Sequence, residues 1–331
     1  MVYLLIFCIL AYLTIKTGQN LSIYGDAIGD IKELDKSWIG IVMLASITSL
    51  PEMITSIFST LLGHPDMAVS NIFGSNIFNV FIICILDVFV IKNICFTNKI
   101  DRGHLLPGFF SILISIFFIF GYIFKSFNVF HISIISIIIF IVYLVSMRLV
   151  YIYQNEYEFN MENNIGIEIE EKQNLAYKEA KKGFIINAIL IVLFGIGLSY
   201  TADRISIIPI FGITLGASFV GTILLAVATS LPELTVSIQA VKLGAYDMSI
   251  GNILGSNLFN LSLLILIDLF YFKGAMFDKL TEYHIISMAA SVIMVLIIIL
   301  GTFFNKKKKP YDGYLVGIIY IISMYILYIY R

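Results

Sequence analysis

The chain has 331 residues, of which 59% are hydrophobic and 13% charged, and its mean hydropathy is +0.95. Soluble domains carry about a quarter charged residues, so this chain cannot cover a water-facing surface and the lipid bilayer is its solvent. The formal net charge of −1 argues against a nucleic-acid partner, and three cysteines without a CxxC pattern argue against a disulfide framework or a cysteine-bound metal.

Ten apolar segments are long enough to cross a bilayer, since a helix needs about 20 apolar residues to span its hydrocarbon core. They predict an all-α membrane protein whose transmembrane helices cover residues 2–24, 38–62, 67–91, 105–124, 128–152, 183–202, 216–242, 247–272, 281–304 and 311–330. Lys16 interrupts the apolar run of the first helix. Between the fifth and sixth helices, residues 154–182 form the longest polar stretch, which we interpret as a cytoplasmic linker.

One stretch of the second and third helices recurs in the seventh and eighth. Segments 38–80 and 219–261 align at a constant offset of 181 residues, with 21 identities in 43 positions and no gap. Two copies in a membrane protein indicate a transporter built from repeats. Because each copy holds an odd number of helices, the copies enter the membrane from opposite sides. The chain is thus predicted to consist of two inverted five-helix repeats, residues 1–153 and 183–331, joined by the linker 154–182.

The distribution of positive charge predicts how this arrangement is oriented. With the N-terminus outside, 16 of the 21 lysines and arginines fall on the inner side, including Lys306 to Lys309. Cytoplasmic loops of membrane proteins carry such an excess. We therefore expect a multi-pass cell-membrane protein that has its N-terminus outside and its central loop in the cytoplasm, and that functions as a monomer.

The repeated residues are oxygen donors that share helix faces. Residues three and four apart lie on one face of a helix, so Glu52 projects beside the hydroxyls of Thr48 and Ser49. Ser75 and Asn79 place two further oxygens on one face of the third helix. The equivalent set in the second copy is Thr229, Ser230, Glu233, Ser256 and Asn260. These hard ligands suit Ca²⁺ or Na⁺, and without thiolate or imidazole they disfavour zinc and copper.

Pro51 and Pro232 add a contribution from the backbone. A proline inside a helix cannot donate to the carbonyl four residues back, and its ring opens that turn. The carbonyls near Ile47 and Ala228, and those of the preceding turn at Ala45 and Ala226, are therefore expected to become available as ligands. Irregular backbone at membrane depth is tolerated only where it faces protein or a water-filled cavity, which favours an ion site here.

The two glutamates, Glu52 and Glu233, need neutralisation at membrane depth. An ionised carboxylate at the bilayer centre costs at least roughly 2.5–3.5 kcal/mol on insertion scales. No lysine or arginine lies near either glutamate in the second or seventh helix. Two carboxylates balance one Ca²⁺ and permit its replacement by monovalent ions or protons. A single motif copy would also fit a kinked helix with a protonated glutamate, but two copies in register disfavour that interpretation.

Other repeated polar residues have a structural alternative. Asp87 and Asp268 lie about 12 Å beyond the third- and eighth-helix asparagines, where a helix-bracing carboxylate near the headgroups competes with a role in ion entry. The remaining repeated amides are expected to brace helices or to ligate. They are Asn71, Asn76, Asn252 and Asn257.

At these residues the chain resembles the Ca²⁺/cation antiporter superfamily, and within it the sodium/calcium exchanger branch of prokaryotic type. The motifs are Thr48-Ser-Leu-Pro-Glu52 with Gly74-Ser-Asn-Ile-Phe-Asn79, and Thr229-Ser-Leu-Pro-Glu233 with Gly255-Ser-Asn-Leu-Phe-Asn260. The resemblance implies that the second, third, seventh and eighth helices surround cation sites, with the first and sixth as a gate. It implies Ca²⁺ ligation by the two glutamates, and Na⁺ ligation by these glutamates with Thr48, Ser49, Ser75, Thr229, Ser230, Ser256 and the carbonyls of Ala45 and Ala226.

Three departures from that family pattern bear on the coupling ion. Ile47 and Ala228 stand where the family commonly has glycine before Thr-Ser, and Ser70 replaces a glycine before Asn71. Asn260 stands where some members carry aspartate. The missing negative charge makes this chain unlike the potassium-dependent exchangers. The Gly-Asn-x-x-Glu pattern of proton/calcium exchangers is absent from both repeats, which favours sodium.

The resulting prediction is a secondary antiporter that exchanges Ca²⁺ for Na⁺ by alternating access, with no enzymatic activity and no cofactor besides the transported ions. The alternatives are a proton-coupled Ca²⁺/cation antiporter, a cation channel, a relative that only binds cations, and an intramembrane aspartyl protease using Asp87 and Asp268. Neither aspartate has the Gly-x-Gly-Asp context of such a protease.

Overall fold

The computed structural model describes residues 2–32, 34–91, 96, 100, 105–124, 128–158, 170–207, 227–304 and 311–329. Almost all of these residues are helical. The helices are α1 (Val2–Lys32), α2 (Lys36–Trp38), α3 (Ala45–Thr48), α4 (Leu50–Leu61), α5 (Pro65–Ile85), α6 (Leu106–Phe124), α7 (Ile134–Glu158), α8 (Glu170–Ile207), α9 (Leu231–Lys242), α10 (Tyr246–Ser262), α11 (Leu264–Phe270), α12 (Glu282–Phe304) and α13 (Tyr311–Ile329). π-helical turns at Ile39–Leu44 and Leu86–Ile91 connect α2 to α3 and extend α5, and a 3₁₀ turn forms at Met276–Lys279.

Many of these helices are long enough to span a membrane. Seven stretches in the described part of the chain are long and apolar enough to cross a bilayer, and the bent pair Ile39–Thr48 with Leu50–Leu61 makes an eighth. A shorter apolar helix covers Tyr311–Leu327. The prediction of a helical, multi-pass membrane protein is confirmed. The first half of the predicted helix 216–242 lies outside the described residues.

The helices α5 and α10 form the centre of the molecule. Within the most apolar window of each span, 56% of the residues are buried in Pro65–Ile91 and 72% in Tyr246–Phe270, against 17% in Val2–Lys32. The helices α6, α12 and α13 pack around these two central helices, whereas α1 and α8 pack on each other and on α9. The most buried spans are thus those that carry the repeated serines and asparagines.

Two predicted helix boundaries are wrong, each for a local reason. The first helix continues past residue 24 to Lys32, because the side chains of its second half face protein rather than lipid. Helix α7 begins at Ile134 and not at residue 128, since β1 (Asn128–Val129) and β2 (Ile132–Ser133) first form an antiparallel pair. That short hairpin is an exception to the all-α prediction. The ends of the predicted linker are helical up to Glu158 and from Glu170 onward, and residues 159–169 lie outside the described residues.

The helices α4 and α9 end in the same way, at repeated glycines. Gly63 has φ +95° and Gly244 has φ +82°, values in the left-handed region that glycine adopts without a steric cost. The following amides donate back to the helix, His64 N–H to the Ser59 carbonyl at 3.0 Å and Ala245 N–H to the Ala240 carbonyl at 2.9 Å. This six-to-one bond is the Schellman cap, and it reverses the chain into α5 and α10.

We predict that Gly244→Ala lowers the free energy of unfolding by about 1–2 kcal/mol, because alanine is strained in the left-handed conformation. No neighbouring atom of the described residues would meet the new methyl group within 4 Å, so the expected cost comes from the backbone. Thermal unfolding in detergent measures it. Gly244→Asn is the graded control and should lose less stability, since asparagine tolerates this conformation. Equal melting temperatures for wild type and Gly244→Ala would contradict the assignment.

Candidate cation-binding site

Both copies of the Thr-Ser-Leu-Pro-Glu motif contain a helix break at the serine. Ser49 has φ −88° and ψ 4°, and Ser230 has φ −93° and ψ 10°, so each ends helical geometry for one residue. The axis bends by 43° between Ile39–Thr48 and Leu50–Leu61. The proline then occupies the first turn of the new helix, where its missing N–H is no loss. The break therefore places each motif glutamate in the first turn of α4 or α9.

The carboxylates of Glu52 and Glu233 are fully buried and bonded across the two copies. The Ser49 hydroxyl donates to Glu233 Oε1 at 3.0 Å, and the Ser230 hydroxyl donates to Glu52 Oε1 at 3.3 Å. Both glutamate side chains have 0% exposure. The serine of each copy thus holds the glutamate of the other, and neither acid faces lipid.

The predicted hydroxyls lie around the same pair of acids. The Ser75 hydroxyl donates to Glu52 Oε1 at 3.4 Å and lies 3.4 Å from the Thr229 hydroxyl. In the other copy, the hydroxyls of Thr48 and Ser256 lie 3.5 Å apart. These two threonine–serine contacts are equivalent at the 181-residue offset. Helices α3, α4, α5, α9 and α10 therefore bring together the hydroxyls that the sequence places on separate helices.

The backbone part of the predicted site is only partly within the described residues. The Ala45 carbonyl accepts the Ser49 N–H at 3.1 Å and lies 3.4 Å from the Thr48 hydroxyl. Ala226 lies outside the described residues. Ligation by these two carbonyls stays a prediction.

Three amides connect α5 and α10 beside the acids. Asn76 Nδ2 donates to the Asn257 carbonyl at 3.3 Å, and Asn257 Nδ2 donates to the Asn76 carbonyl at 3.1 Å. The two residues are 181 positions apart, so this reciprocal contact relates the two copies. Asn260 Nδ2 donates to Asn76 Oδ1 at 3.1 Å, whereas neither polar atom of Asn79 has a partner among the described residues. Asn76 and Asn257 therefore act as braces.

Several buried oxygens at this place have no hydrogen-bond donor. Within the described residues, the second oxygens of Glu52 and Glu233 and the amide oxygens of Asn79, Asn257 and Asn260 are unpartnered. No described lysine or arginine pairs with either glutamate. A buried polar atom left without a partner costs about 1–3 kcal/mol, and a charged one more. Carboxylate and amide oxygens are the ligand types that Ca²⁺ takes.

A second layer of hydrogen bonds fixes α4 and α9 against α5 and α10. Asn252 Nδ2 donates to Ser237 Oγ at 2.9 Å and to the Glu233 carbonyl at 3.3 Å. Asn71 Nδ2 makes the equivalent bond to Ser56 Oγ at 3.2 Å. Sequence reasoning missed the two serines, although their identity at the repeat offset was a usable signal. These contacts support a bracing role for Asn71 and Asn252.

Two glycines let the π-helical turn approach α10 closely. A methyl group on Gly40 would lie 2.3 Å from the Met248 carbonyl oxygen, and one on Gly255 would lie 2.8 Å from the Ile41 Cα. Gly255 therefore permits the close approach of this turn to α10. For Gly74, no atom lies within 4 Å of the equivalent methyl position in the described part of the chain.

The repeated aspartates brace chain segments away from this site. Asp87 Oδ1 accepts the Phe96 N–H at 2.7 Å. Asp268 Oδ2 accepts the Ser133 N–H and the Ser136 hydroxyl, both at 2.7 Å, at the start of α7. These contacts favour the bracing alternative over ion entry, and they bind the two carboxylates to different segments, unlike the paired acids of an aspartyl protease.

The long apolar helices, with a pair of acids buried among hydroxyls and amides between them, place the chain in the class of multi-pass helical membrane proteins with a polar interior. The model of the family described as sodium/calcium exchanger protein matches residues 2–150 and 182–330. The chain therefore belongs to the sodium/calcium exchanger protein family, which confirms the resemblance found in the motifs.

Individual relatives agree with this membership. The uncharacterized membrane protein MJ0091 of Methanocaldococcus jannaschii is 26% identical over 286 residues, which cover 86% of this chain and 85% of that protein. The sodium/calcium exchanger MaX1 of Methanosarcina acetivorans is 29% identical over 110 residues, or 33% of this chain and 30% of MaX1.

Solved structures show the same fold. A structure of the sodium-calcium exchanger NCX_Mj soaked with 2.5 mM Na⁺ and 0.1 mM Sr²⁺ matches with a TM-score of 0.74 and 22% identity over 98% of each chain. Another, soaked with 2.5 mM Na⁺ and 0.1 mM Ca²⁺, matches with a TM-score of 0.72 over 98% of each chain.

The amide contacts generate a matched pair of variants. Asn257→Ala removes the bond to the Asn76 carbonyl, so we predict a loss of about 1–2 kcal/mol in unfolding free energy. Asn79→Ala removes a fully buried amide that has no partner in the described structure, so stability should stay equal or rise. Thermal unfolding of both variants in detergent measures the difference. Equal destabilisation by both would contradict the bracing assignment.

Proposed function

We propose that this protein is a secondary antiporter that exchanges Ca²⁺ for Na⁺ across the cell membrane by alternating access. The observation that carries the proposal is the pair of fully buried acids, Glu52 and Glu233, each bonded to the serine of the other motif copy and each with an unpartnered oxygen. Membership of the sodium/calcium exchanger protein family supports the same conclusion.

Ligands for the transported ions come from both copies. The two carboxylates would hold Ca²⁺, and they would hold Na⁺ together with the hydroxyls and carbonyls around them. The amide oxygens of Asn79 and Asn260 complete this oxygen-donor set. The full set is Glu52, Glu233, Thr48, Ser49, Ser75, Asn79, Thr229, Ser230, Ser256, Asn260, Ala45 and Ala226. All of them that lie among the described residues are fully buried.

Charge balance explains how such a site couples two ions. Two ionised glutamates without a cation are energetically unfavourable at membrane depth. The protein with an empty site should therefore rarely change the side of the membrane to which the site is open. One Ca²⁺ neutralises both acids, and several Na⁺ ions neutralise them equally well. Exchange follows because the site changes access when it is loaded with either ion and returns with the other.

We further propose ten transmembrane helices in two inverted repeats, residues 1–153 and 183–331, with the linker 154–182 in the cytoplasm and the N-terminus outside. The family model matches the chain twice, in residues 2–150 and 182–330. The paired serine breaks, the paired glycine caps and the reciprocal contact between Asn76 and Asn257 support a two-fold relation between the halves. We expect a monomer to be sufficient, because the ligands come from one chain.

Transport is tested in proteoliposomes with an imposed Na⁺ gradient and radiolabelled Ca²⁺. We expect Ca²⁺ uptake that requires Na⁺ inside the vesicle and stops when the gradient is collapsed. Uptake that ignores Na⁺ but follows a pH gradient would replace this proposal by proton coupling. A Ca²⁺ current without any counter-ion would indicate a channel.

The site itself is tested by neutralising each acid. Glu52→Gln and Glu233→Gln each remove one of two charges facing a divalent ion, so we predict at least about tenfold weaker Ca²⁺ binding, or about 1.4 kcal/mol. Isothermal titration of purified protein measures it. Glu282→Gln is the control, because that glutamate lies in the first turn of α12 but is exposed, and its affinity should match wild type. Unchanged affinity in both site variants would sink the assignment.

A further inference from the structure

Two side-chain amides, one on α5 and one on α10, are linked in series to a single backbone carbonyl. Asn76 Nδ2 donates to the Asn257 carbonyl at 3.3 Å, and Asn76 Oδ1 accepts the amide nitrogen of Asn260 at 3.1 Å. The side chains of Asn76 and Asn260 are buried, so both bonds lie away from bulk solvent. The series therefore runs from the Asn257 carbonyl through Asn76 to Asn260.

This series fixes the direction in which each amide faces. A backbone carbonyl can only accept a hydrogen bond, so it binds the nitrogen of Asn76 and leaves the amide oxygen on the other side. That oxygen can also only accept, so it binds the nitrogen of Asn260. The oxygen of Asn260 is then turned away from Asn76, and it is buried without a hydrogen-bond partner among the described residues.

The orientation of the Asn260 amide matters because of the face on which it lies. Asn260 shares a face of α10 with Ser256, four residues earlier, and the Ser256 hydroxyl lies 3.5 Å from the Thr48 hydroxyl. An amide oxygen on this face adds a hard ligand to the donor set. An N–H group in the same place has no lone pair to offer and repels a cation. The orientation therefore decides whether Asn260 can be a ligand.

The equivalent series in the other half of the chain is incomplete. At the 181-residue offset, Asn76 and Asn260 correspond to Asn257 and Asn79. The first bond is present, since Asn257 Nδ2 donates to the Asn76 carbonyl at 3.1 Å. The second bond is absent from the described structure, where Asn257 Oδ1 and both polar atoms of Asn79 are unpartnered. One of the two equivalent amides is thus fixed by its neighbour and the other is not.

We propose that Asn76 is a positioning residue, which orients the Asn260 amide so that its oxygen faces the transported cation. This inference rests on the proposed function, in which Asn260 belongs to the ligand set. The two ends of an amide differ, so an asparagine serves a cation only when its oxygen faces the ion. An aspartate at position 260 would need no orienting partner, because both oxygens of a carboxylate are acceptors.

The test is a double-mutant cycle in which isothermal titration of purified protein measures Ca²⁺ affinity. Asn76→Ala removes the acceptor that holds Asn260 Nδ2, so we expect roughly tenfold weaker Ca²⁺ binding, the effect of one hydrogen bond to a charged group. In the Asn260→Asp background, the same change should leave the affinity of that background unaltered, because either carboxylate oxygen can face the ion. Equal weakening in both backgrounds would show a general structural role and overturn the inference.

Asn257→Ala is the matched control. It removes a bond between α5 and α10, but it leaves the Asn257 carbonyl and the bond between Asn76 and Asn260 in place. The melting temperature should fall for both alanine variants, whereas the Ca²⁺ affinity of Asn257→Ala should equal that of wild type. If Asn257→Ala weakens Ca²⁺ binding as much as Asn76→Ala does, loss of the helix contact is the cause and the inference falls.

Asn76→Asp is the conservative variant. Its carboxyl group keeps an oxygen for Asn260 Nδ2, and in the protonated form it also keeps a donor for the Asn257 carbonyl. We therefore expect a Ca²⁺ affinity at least equal to that of wild type. Weaker binding by Asn76→Asp would contradict the positioning role, and this result is decisive even if Asn76→Ala fails to fold.

These titrations are separate from the test of the proposed function. If wild type binds Ca²⁺ but shows no Na⁺-dependent Ca²⁺ uptake, the proposed exchange falls and the titrations still decide the role of Asn76. If wild type exchanges the ions and Asn76→Ala binds Ca²⁺ as tightly as wild type, the inference falls and the proposed function stands. If wild type binds no Ca²⁺, both fall.

Discussion

Burial of two carboxylates at membrane depth is the constraint around which this structure is built. Each acid carries a charge that the bilayer cannot solvate, and the described part of the chain offers it no lysine or arginine. Hydroxyls supplied by the opposite motif copy, Ser49 to Glu233 and Ser230 to Glu52, satisfy one oxygen of each acid. The second oxygen of each acid has no hydrogen-bond partner among the described residues, and carboxylate oxygens are of the hard ligand type that Ca²⁺ prefers.

The backbone delivers these groups through a small number of local devices. At Ser49 and Ser230 one helix ends and the next begins, shortly before each acid. Each proline therefore lies in the first turn of a helix, where its missing N–H removes no helical hydrogen bond. Gly40 and Gly255 allow the first broken helix to lie against α10 at a backbone separation that no larger residue permits. The amides of Asn76 and Asn257 then lock α5 to α10. Precision at the site therefore comes from the scaffold and not from the ligands alone.

The two halves are similar in their motifs but differ in individual contacts. Asn260 is bonded to Asn76, whereas its counterpart Asn79 has no partner in the described structure. Gly195 allows α8 to touch Pro51, whereas the matching position on α1 is a threonine. The two-fold relation between the halves is therefore approximate at the level of side-chain contacts.

The sequence by itself determined the solvent, the repeat, the two acids with their hydroxyls, and the family, because composition, a fixed offset and short motifs are local properties of the chain. Helical spacing predicted that each motif threonine shares a helix face with the glutamate of its own copy. That Thr48, Ser75, Thr229 and Ser256 belong to one site was implied by the resemblance to the exchanger family. The tertiary structure alone decided that each serine serves the glutamate of the other copy, that Asp87 and Asp268 brace chain segments, and that a hairpin precedes α7. Those outcomes depend on contacts between helices far apart in the chain, and no periodicity within one helix records which neighbour it will meet.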